Sequence, residues 1–195
     1  MPSTYHHGNL RNALLEEAMR IVERDGPEAV SLRELATAVG VSTAAPYKHF
    51  TDRSAVLAGV ALKGYQEMSE RLREFSSARN SRKNLRSALV AFVQFADERP
   101  GLFQLMYVPP RGLELSDPEV KAAELKCYES FLRLVERYYG SIEDQVLRVR
   151  IVALWSTLLG YAVTRLRHPL QPEMLPRLTD AELTAAVLDA AIGIP

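Results

Sequence analysis

Apolar residues recur at helical spacing along almost the whole chain. Leu10, Leu14, Ala18, Ile21 and Val22 share one face of a first helix, which Gly26-Pro27 closes. The stretch SLRELATAVG predicts a second. Ser31 and Glu34 form an S-x-x-E capping box, Leu32, Leu35, Ala36 and Val39 make the apolar face, and Gly40 ends the helix in the left-handed conformation. A short third helix is expected with Ser42 as N-cap. A long fourth carries the stripe Val56, Leu57, Val60, Ala61, Tyr65, Met68, Leu72 and Phe75. After the polar break SSARNSRKN, Leu85, Leu89, Phe92, Val93 and Ala96 mark a fifth, and Pro100 separates it from a short sixth with Leu102, Phe103, Met106 and Tyr107. A second box at Ser116 and Glu119 opens a seventh, which stops near Gly140. An eighth runs from about Asp144 to Arg167, and a third box, Thr179 with Glu182, opens a ninth ending at Gly193. The segment HPLQPEMLPRL holds three prolines and is no regular helix. No period-two strand pattern competes, so the expected fold is all-α with about nine helices.

Residues Ser31 to Phe50 carry the most specific local signal. A capped helix, a tight turn at Gly40 and a second capped helix make a helix-turn-helix, whose second helix enters the major groove of DNA. That placement offers Ser42, Thr43, Ala44, Tyr47, Lys48 and His49 to the duplex, with Ser42 leaving helix N–H groups toward a phosphate. Arg33 and Arg53, at the starts of neighbouring helices, are further candidates. Pro46 tests the reading, because proline lacks the N–H and its ring strikes the carbonyl four residues back. With Ser42 as cap, that carbonyl lies outside the helix proper. The expected cost is then one hydrogen bond, about 0.5–1.5 kcal/mol, against about 3 kcal/mol for a mid-helix proline.

Composition adjusts this picture modestly. Of 195 residues 47% are apolar, enough for a well-buried core. The single cysteine, Cys127, excludes an intramolecular disulfide and fits a reducing cytoplasm; on a helix between aromatics it reads as an inert buried thiol. The N-terminal MPSTYHHGNL has no signal pattern. The densest apolar run, Ile151 to Val163, is shorter than the roughly 18–20 residues a bilayer needs. A cytoplasmic protein without a membrane partner is expected. Lysines plus arginines equal aspartates plus glutamates, 24 each, which weighs against nucleic-acid binding unless a few well-placed cations do the work. His6 and His7 lack ligand spacing, so no metal or other cofactor is expected; plain disorder is the first reading, ahead of a flexible arm near the DNA. The basic cluster Arg71, Arg73, Arg79, Arg82, Lys83 and Arg86 reads as a solvated face. No nucleophile elbow or paired-carboxylate pattern is present, so no enzyme is expected.

The stretch SLRELATAVGVSTAAPYKHFTDRSAVL resembles the DNA-binding domain of the TetR family of transcriptional regulators. The likeness rests on Ser-Leu-Arg at the helix start, Ala36, the Gly40-Val41-Ser42 turn and Tyr47-x-His49-Phe50, and it covers roughly residues 5–65. YHHGNLR near the N-terminus is typical of one branch. GLFQLMY and LWSTLLGYAVTRL resemble the branch whose ligand domain carries Trp-x-x-x-His-Gly; here Trp155 and Gly160 stand, with Leu159 in the histidine's place. The resemblance implies a DNA-binding domain over residues 1–52 and a helical ligand-binding and dimerisation domain over residues 53–195. It implies a homodimer pairing through the last two helices, a double-stranded operator and a small-molecule effector that releases it.

Phe92, Phe95, Phe103, Met106, Tyr107, Tyr128, Phe131, Trp155, Leu158 and Leu159 are the candidate effector lining, an apolar and aromatic set suited to an uncharged molecule. Arg111 and Arg165 are the cations nearest to it. The eighth helix is apolar nearly all round, which predicts burial on both sides. Ile151, Leu154, Leu158 and Tyr161 on it, with Leu183, Val187 and Ala191 on the ninth, are therefore the expected dimer contacts. The reading is a repressor released by a small apolar or aromatic molecule. The alternative is a helical small-molecule-binding protein whose head no longer binds DNA, favoured by the slight acidic excess before Arg53.

Overall fold

A computed structural model of the chain describes residues 10–76, 81–167 and 178–193. His6, His7, Arg79 and most of HPLQPEMLPRL lie outside the described residues. The fold is all-helical, with no strand among the described residues. Its α-helices are α1 (Leu10–Asp25), α2 (Leu32–Val39), α3 (Arg53–Arg73), α4 (Ser81–Glu98), α5 (Pro100–Tyr107), α6 (Pro118–Tyr139), α7 (Asp144–Arg167) and α8 (Asp180–Ile192). Two short 3₁₀ turns, Pro27–Ala29 and Pro46–Lys48, complete the list. The expected third helix is absent as an α-helix; only the second 3₁₀ turn stands in its place.

Helix ends follow local chemistry, with two corrections. Thr179 and Glu182 form the reciprocal capping box at α8. Ser31 occupies the N-cap of α2 in extended conformation, but its side chain makes no capping bond. At α6 the cap is Asp117 rather than Ser116. Its Oδ1 accepts from the Glu119 N–H at 2.8 Å, because Pro118 fixes the first helical position one residue later than the box implies. Asp52 does the same for α3, accepting from the Ala55 N–H at 2.9 Å.

The chain divides into two compact units, Met1–Gln66 with Arg99–Glu124, and Glu67–Glu98 with Leu125–Pro195. In the first, α1 is the central element. Its buried face, Leu14, Leu15, Ala18, Ile21 and Val22, packs on α2 and α5. Gly101 at the start of α5 lies directly on the α1 backbone. A Cβ there would overlap the Val22 carbonyl oxygen and sit 2.9 Å from the Glu23 Cα. Glu23 completes the joint: its carboxylate accepts from the Gly101 N–H (3.0 Å), the Leu102 N–H (3.3 Å) and Arg99 Nε (3.0 Å). A carboxylate from a distant helix thus satisfies donors that the first turn of α5 would leave orphaned. At the other end of α5 the Tyr65 hydroxyl, buried, donates to the Met106 carbonyl at 2.8 Å.

In the second unit α7 packs on α4 and α8. Leu154, Leu158, Tyr161 and Ala162 form its buried face. Arg165 ties three helices together. It bonds Asp97 of α4 at 2.8 Å and Asp180 at the start of α8, and these contacts hold the Asp180 carboxyl below its usual range. Arg86 pairs with Asp189 at 2.6 Å, and the Tyr161 hydroxyl meets Thr184 Oγ1 at 3.0 Å. The opposite face of α7 is open: Val149 and Val152 are 64% and 63% exposed. Among the described residues one face of this helix is packed by the chain's own helices, and the other is left for a partner to cover if the helix is to be dry on both sides. The helix from Asp144 to Leu166 is also long and apolar enough to cross a bilayer, which corrects the length argument made from Ile151–Val163. Its packing on α4 and α8 gives it the role of a bundle helix.

Gly101→Ala is expected to destabilise the protein by about 3 kcal/mol or more, the upper range for overpacking. The methyl meets backbone atoms that no rotamer change moves aside. Urea unfolding followed by circular dichroism checks this, and a midpoint within error of the parent would contradict the close approach.

Candidate nucleic-acid interface

The turn after α2 forms by backbone chemistry alone. Gly40 takes φ 76°, ψ 33°, and the Val41 N–H bonds back to the Ala36 carbonyl at 2.9 Å, the long bond of a Schellman motif. The Ala45 N–H then bonds to the Ser42 carbonyl at 2.9 Å, closing a four-residue turn with Thr43 and Ala44 at its apex. Pro46 opens the 3₁₀ turn at its first position, where a missing N–H leaves nothing unsatisfied, and its ring is buried. The His49 and Phe50 N–H groups bond to the Pro46 carbonyl at 2.9 and 3.0 Å, and Phe50 is buried. Ser42 is therefore not a helix cap. The chain avoids the proline problem by ending one turn and starting another, so no helix N–H groups are presented at Ser42.

Each candidate DNA-contacting side chain can be placed. Arg33, Ser42, Thr43, Ala44, Tyr47 and Lys48 are exposed, Tyr47 at 60%, and His49 is half-buried. Arg53 is placed differently. Its Nη2 donates to the Pro27 carbonyl at 2.7 Å and its Nε is buried without a hydrogen-bond partner, so it ties α3 to the turn after α1. Arg11 is the residue that sequence reasoning missed. Its guanidinium carbon lies 5.2 Å from the centroid of the Phe50 ring, and the side chain is otherwise exposed. Nothing local to Arg11 signals a stacking partner so distant in the chain.

The candidate effector lining is drawn from both units, and its contacts are described within each. In the second unit one indole organises three other rings. Trp155 meets Phe92 at 5.6 Å, Tyr128 at 5.8 Å and Phe131 at 5.3 Å between centroids, mostly edge-on, as ring quadrupoles favour. Phe92 and Phe131 are buried; Tyr128 lies at the exposed edge and Trp155 is half-buried. Phe95 and Leu158 are core residues, Phe95 with the Arg71 guanidinium 5.1 Å from its ring, and Leu159 is half-buried. In the first unit Phe103 and Tyr107 pair at 4.8 Å, Tyr107 meets Tyr65 at 5.8 Å, and Met106 is buried. Arg165 is already engaged by two carboxylates, and Arg111 is exposed in the loop after α5. Cys127 is buried, and the described residues hold no group of three metal-ligating side chains.

Of the expected dimer contacts, Leu154, Leu158 and Tyr161 are buried against the chain's own helices, so they have no surface left for a partner. Ile151, Leu183, Val187 and Ala191 are half-buried. The outward face of α7 instead shows Val149, Val152, Ala153, Ser156, Gly160 and Thr164, one stripe at helical spacing. The Thr157 and Thr164 hydroxyls on and beside it donate to the Ala153 and Gly160 carbonyls of the same helix.

Known proteins share this architecture. Residues 14–60 match the family of bacterial regulatory proteins, tetR family, and residues 85–190 match the tetracyclin repressor-like C-terminal domain. The chain is 24% identical over 158 residues to the HTH-type transcriptional regulator YobS of Bacillus subtilis, covering 80% of this chain and 78% of that one. It is 29% identical over 100 residues to the nucleoid occlusion factor SlmA of Photobacterium profundum, covering 50% and 51%. Among solved structures, a protein of unknown function from a Rhodococcus species superposes with TM-score 0.76 at 29% identity, over 98% of this chain and 96% of that one. The TetR family regulator PfmR of Thermus thermophilus has the same fold, with TM-score 0.67 at 21% identity over 92% and 97%. With the two domain matches spanning both the helix-turn-helix and the helical bundle, the chain belongs to the TetR family of transcriptional regulators.

Proposed function

We propose that the protein is a cytoplasmic repressor that binds a palindromic operator as a homodimer and leaves it when a small uncharged aromatic or apolar molecule binds. The observation that carries this reading is the exposure of Arg33, Thr43, Ala44, Tyr47 and Lys48 around one tight turn. Residues 1–52 would read DNA, and residues 53–195 would bind the effector and the second copy. The phosphate contacts fall to Lys48, Tyr47, Arg33 and Arg11, while Arg53 holds the head together. The effector would sit against the Trp155 ring cluster. With Leu159 where the branch motif has histidine, and Arg165 committed to Asp97 and Asp180, the cluster suits a molecule without charge. Moving the operator-bound state from about 99:1 to 1:99 requires about a 10⁴-fold preference of effector for the released form.

The dimer contact we propose is the outward stripe of α7 with the exposed Ala186 and Ala190 of α8. Gly160 supports it. Nothing lies within 4 Å of the position its Cβ would take, so the chain's own packing does not demand glycine. A mid-helix glycine costs about 1 kcal/mol against alanine, and a close approach by a second helix accounts for retaining it.

DNA binding is tested by fluorescence anisotropy with selected duplexes over a salt series. Lys48→Ala should weaken all sequences alike and flatten the log–log salt slope by about 0.9, one phosphate. Arg53→Ala should lower the melting temperature and leave that slope unchanged. Retention of the parent slope in Lys48→Ala, or no salt-dependent binding by the parent, would count against the interface.

Sedimentation velocity tests the stripe. Ser156→Glu should give folded monomers, because a buried unpaired charge costs several kcal/mol. Leu158→Glu should unfold the bundle instead. Dimeric Ser156→Glu would place the contact elsewhere.

Trp155 is the only tryptophan in the chain. Uncharged aromatic compounds that release the operator should quench its emission over the same concentration range. Release without any change in Trp155 emission would move the effector away from this cluster.

A further inference from the structure

We propose that the turn at Thr43 and Ala44 reads the C5-methyl groups of thymine, so that each operator half-site carries thymines at the steps these two residues face. The proposal rests on the DNA-binding reading above and names the base chemistry of that same site.

The major groove presents four distinct edges. Guanine is read by Arg or Lys forks, adenine by Asn or Gln, cytosine by a carboxylate, and thymine by apolar contact with its methyl. From Ser42 to His49 the chain is Ser, Thr, Ala, Ala, Pro, Tyr, Lys, His. It contains no Arg, Asn, Gln, Asp or Glu. Pro46 is buried, and Ala45 and His49 are half-buried. The side chains left facing outward are Ser42, Thr43, Ala44, Tyr47 and Lys48.

Backbone geometry divides these five. The hydrogen bond from the Ala45 N–H to the Ser42 carbonyl, 2.9 Å, places Thr43 and Ala44 as the two central residues of a turn, its most projecting part. Tyr47 and Lys48 follow on the 3₁₀ turn, beyond the buried proline. The apex side chains are short: Ala44 is a single methyl, and Thr43 ends in a methyl and a hydroxyl. Short side chains let the backbone approach the base edges closely, and a methyl so placed can contact one feature of the groove productively, the thymine methyl. The longer Tyr47 and Lys48 reach outward to the sugar–phosphate walls. The buried Pro46, between the apex and Tyr47–Lys48, is what separates base reading from backbone holding here.

The experiment uses the full chain. A random duplex library is first selected for binding, and thymines in the recovered half-sites are then replaced one at a time by deoxyuridine. That exchange removes the C5-methyl and keeps the pairing, and it leaves the protein untouched. One or two positions per half-site should each lose about fourfold in affinity, the effect of withdrawing one methyl from an apolar contact. In Ala44→Gly, deoxyuridine at one of these positions should have no further effect. In Thr43→Ser, which keeps the hydroxyl, the other position should become insensitive, and Thr43→Val should restore its sensitivity. Sequence-specific binding in which every thymine tolerates deoxyuridine overturns the methyl reading and leaves DNA binding standing. Sensitivity that persists in both Ala44→Gly and Thr43→Ser overturns the assignment to these residues. Recovery of no preferred sequence overturns the operator reading itself, and this proposal with it.

Discussion

The seat of Gly101 on the carbonyl of Val22 is the contact on which the first unit depends. Two helices cannot approach closer than this, because the space a Cβ would need is filled by backbone. Contact alone would leave the first N–H groups of α5 without acceptors. Glu23, one residue beyond the contact, turns its carboxylate to those donors and draws in Arg99 as counter-charge. Steric fit and electrostatic satisfaction come from adjacent residues of α1, so neither can shift without the other. At its far end α5 is held by the Tyr65 hydroxyl on the Met106 carbonyl. The consequence for function is mechanical. α5 is tied to α1, and α1 carries α2 on the same buried face, so displacement of α5 is displacement of the helix-turn-helix scaffold.

Arginine use explains how a chain of zero net charge can address a polyanion. Arg53, Arg71, Arg86, Arg99 and Arg165 are all held by carbonyls or carboxylates within their own units. Most of them bond partners that lie far away in sequence, and each is a structural tie. Removing these from the count leaves Arg11, Arg33 and Lys48 as exposed cations around the turn after α2. A local field from a few such cations is what a duplex encounters, and the paired arginines contribute little to it.

Helical periodicity located every α-helix of the bundle, because each buries a single stripe and the stripe is written at 3.6-residue spacing. It failed at Ser42 for a definite reason. The residue types allow a capped helix, and the choice between one helix and two turns lies in how Pro46 packs, which is a tertiary matter. The Thr179–Glu182 box was legible because both partners are local. Glu23 was not, since its partners lie 76 to 79 positions away. The Arg53 tie to Pro27 and the Arg11 stack on Phe50 were illegible for the same reason: a cation near a helix start has one composition whether it faces a phosphate, a carbonyl or a ring. The aromatic and apolar effector candidates share one residue chemistry, and sequence alone does not say that Phe92, Tyr128 and Phe131 gather on Trp155.

The two faces of α7 show where a hydrophobic pattern stops being informative. Leu154, Leu158 and Tyr161 are large and meet α4 and α8; Val152, Ser156 and Gly160 are smaller and face outward. Mean apolarity cannot separate these faces, but side-chain size can. Large residues fill the space between helices of one bundle at ordinary interaxial distance. Small residues leave the backbone accessible, which is wasteful against water and useful against another helix. The hydroxyls of Thr157 and Thr164 point the same way. By donating to carbonyls of their own helix they are already satisfied, so the stripe can lose its water without stranding these two donors. A two-fold axis crossing the stripe near Gly160 would set small against small and bring two bundles into register. That is the symmetry an inverted-repeat operator requires of the protein that reads it.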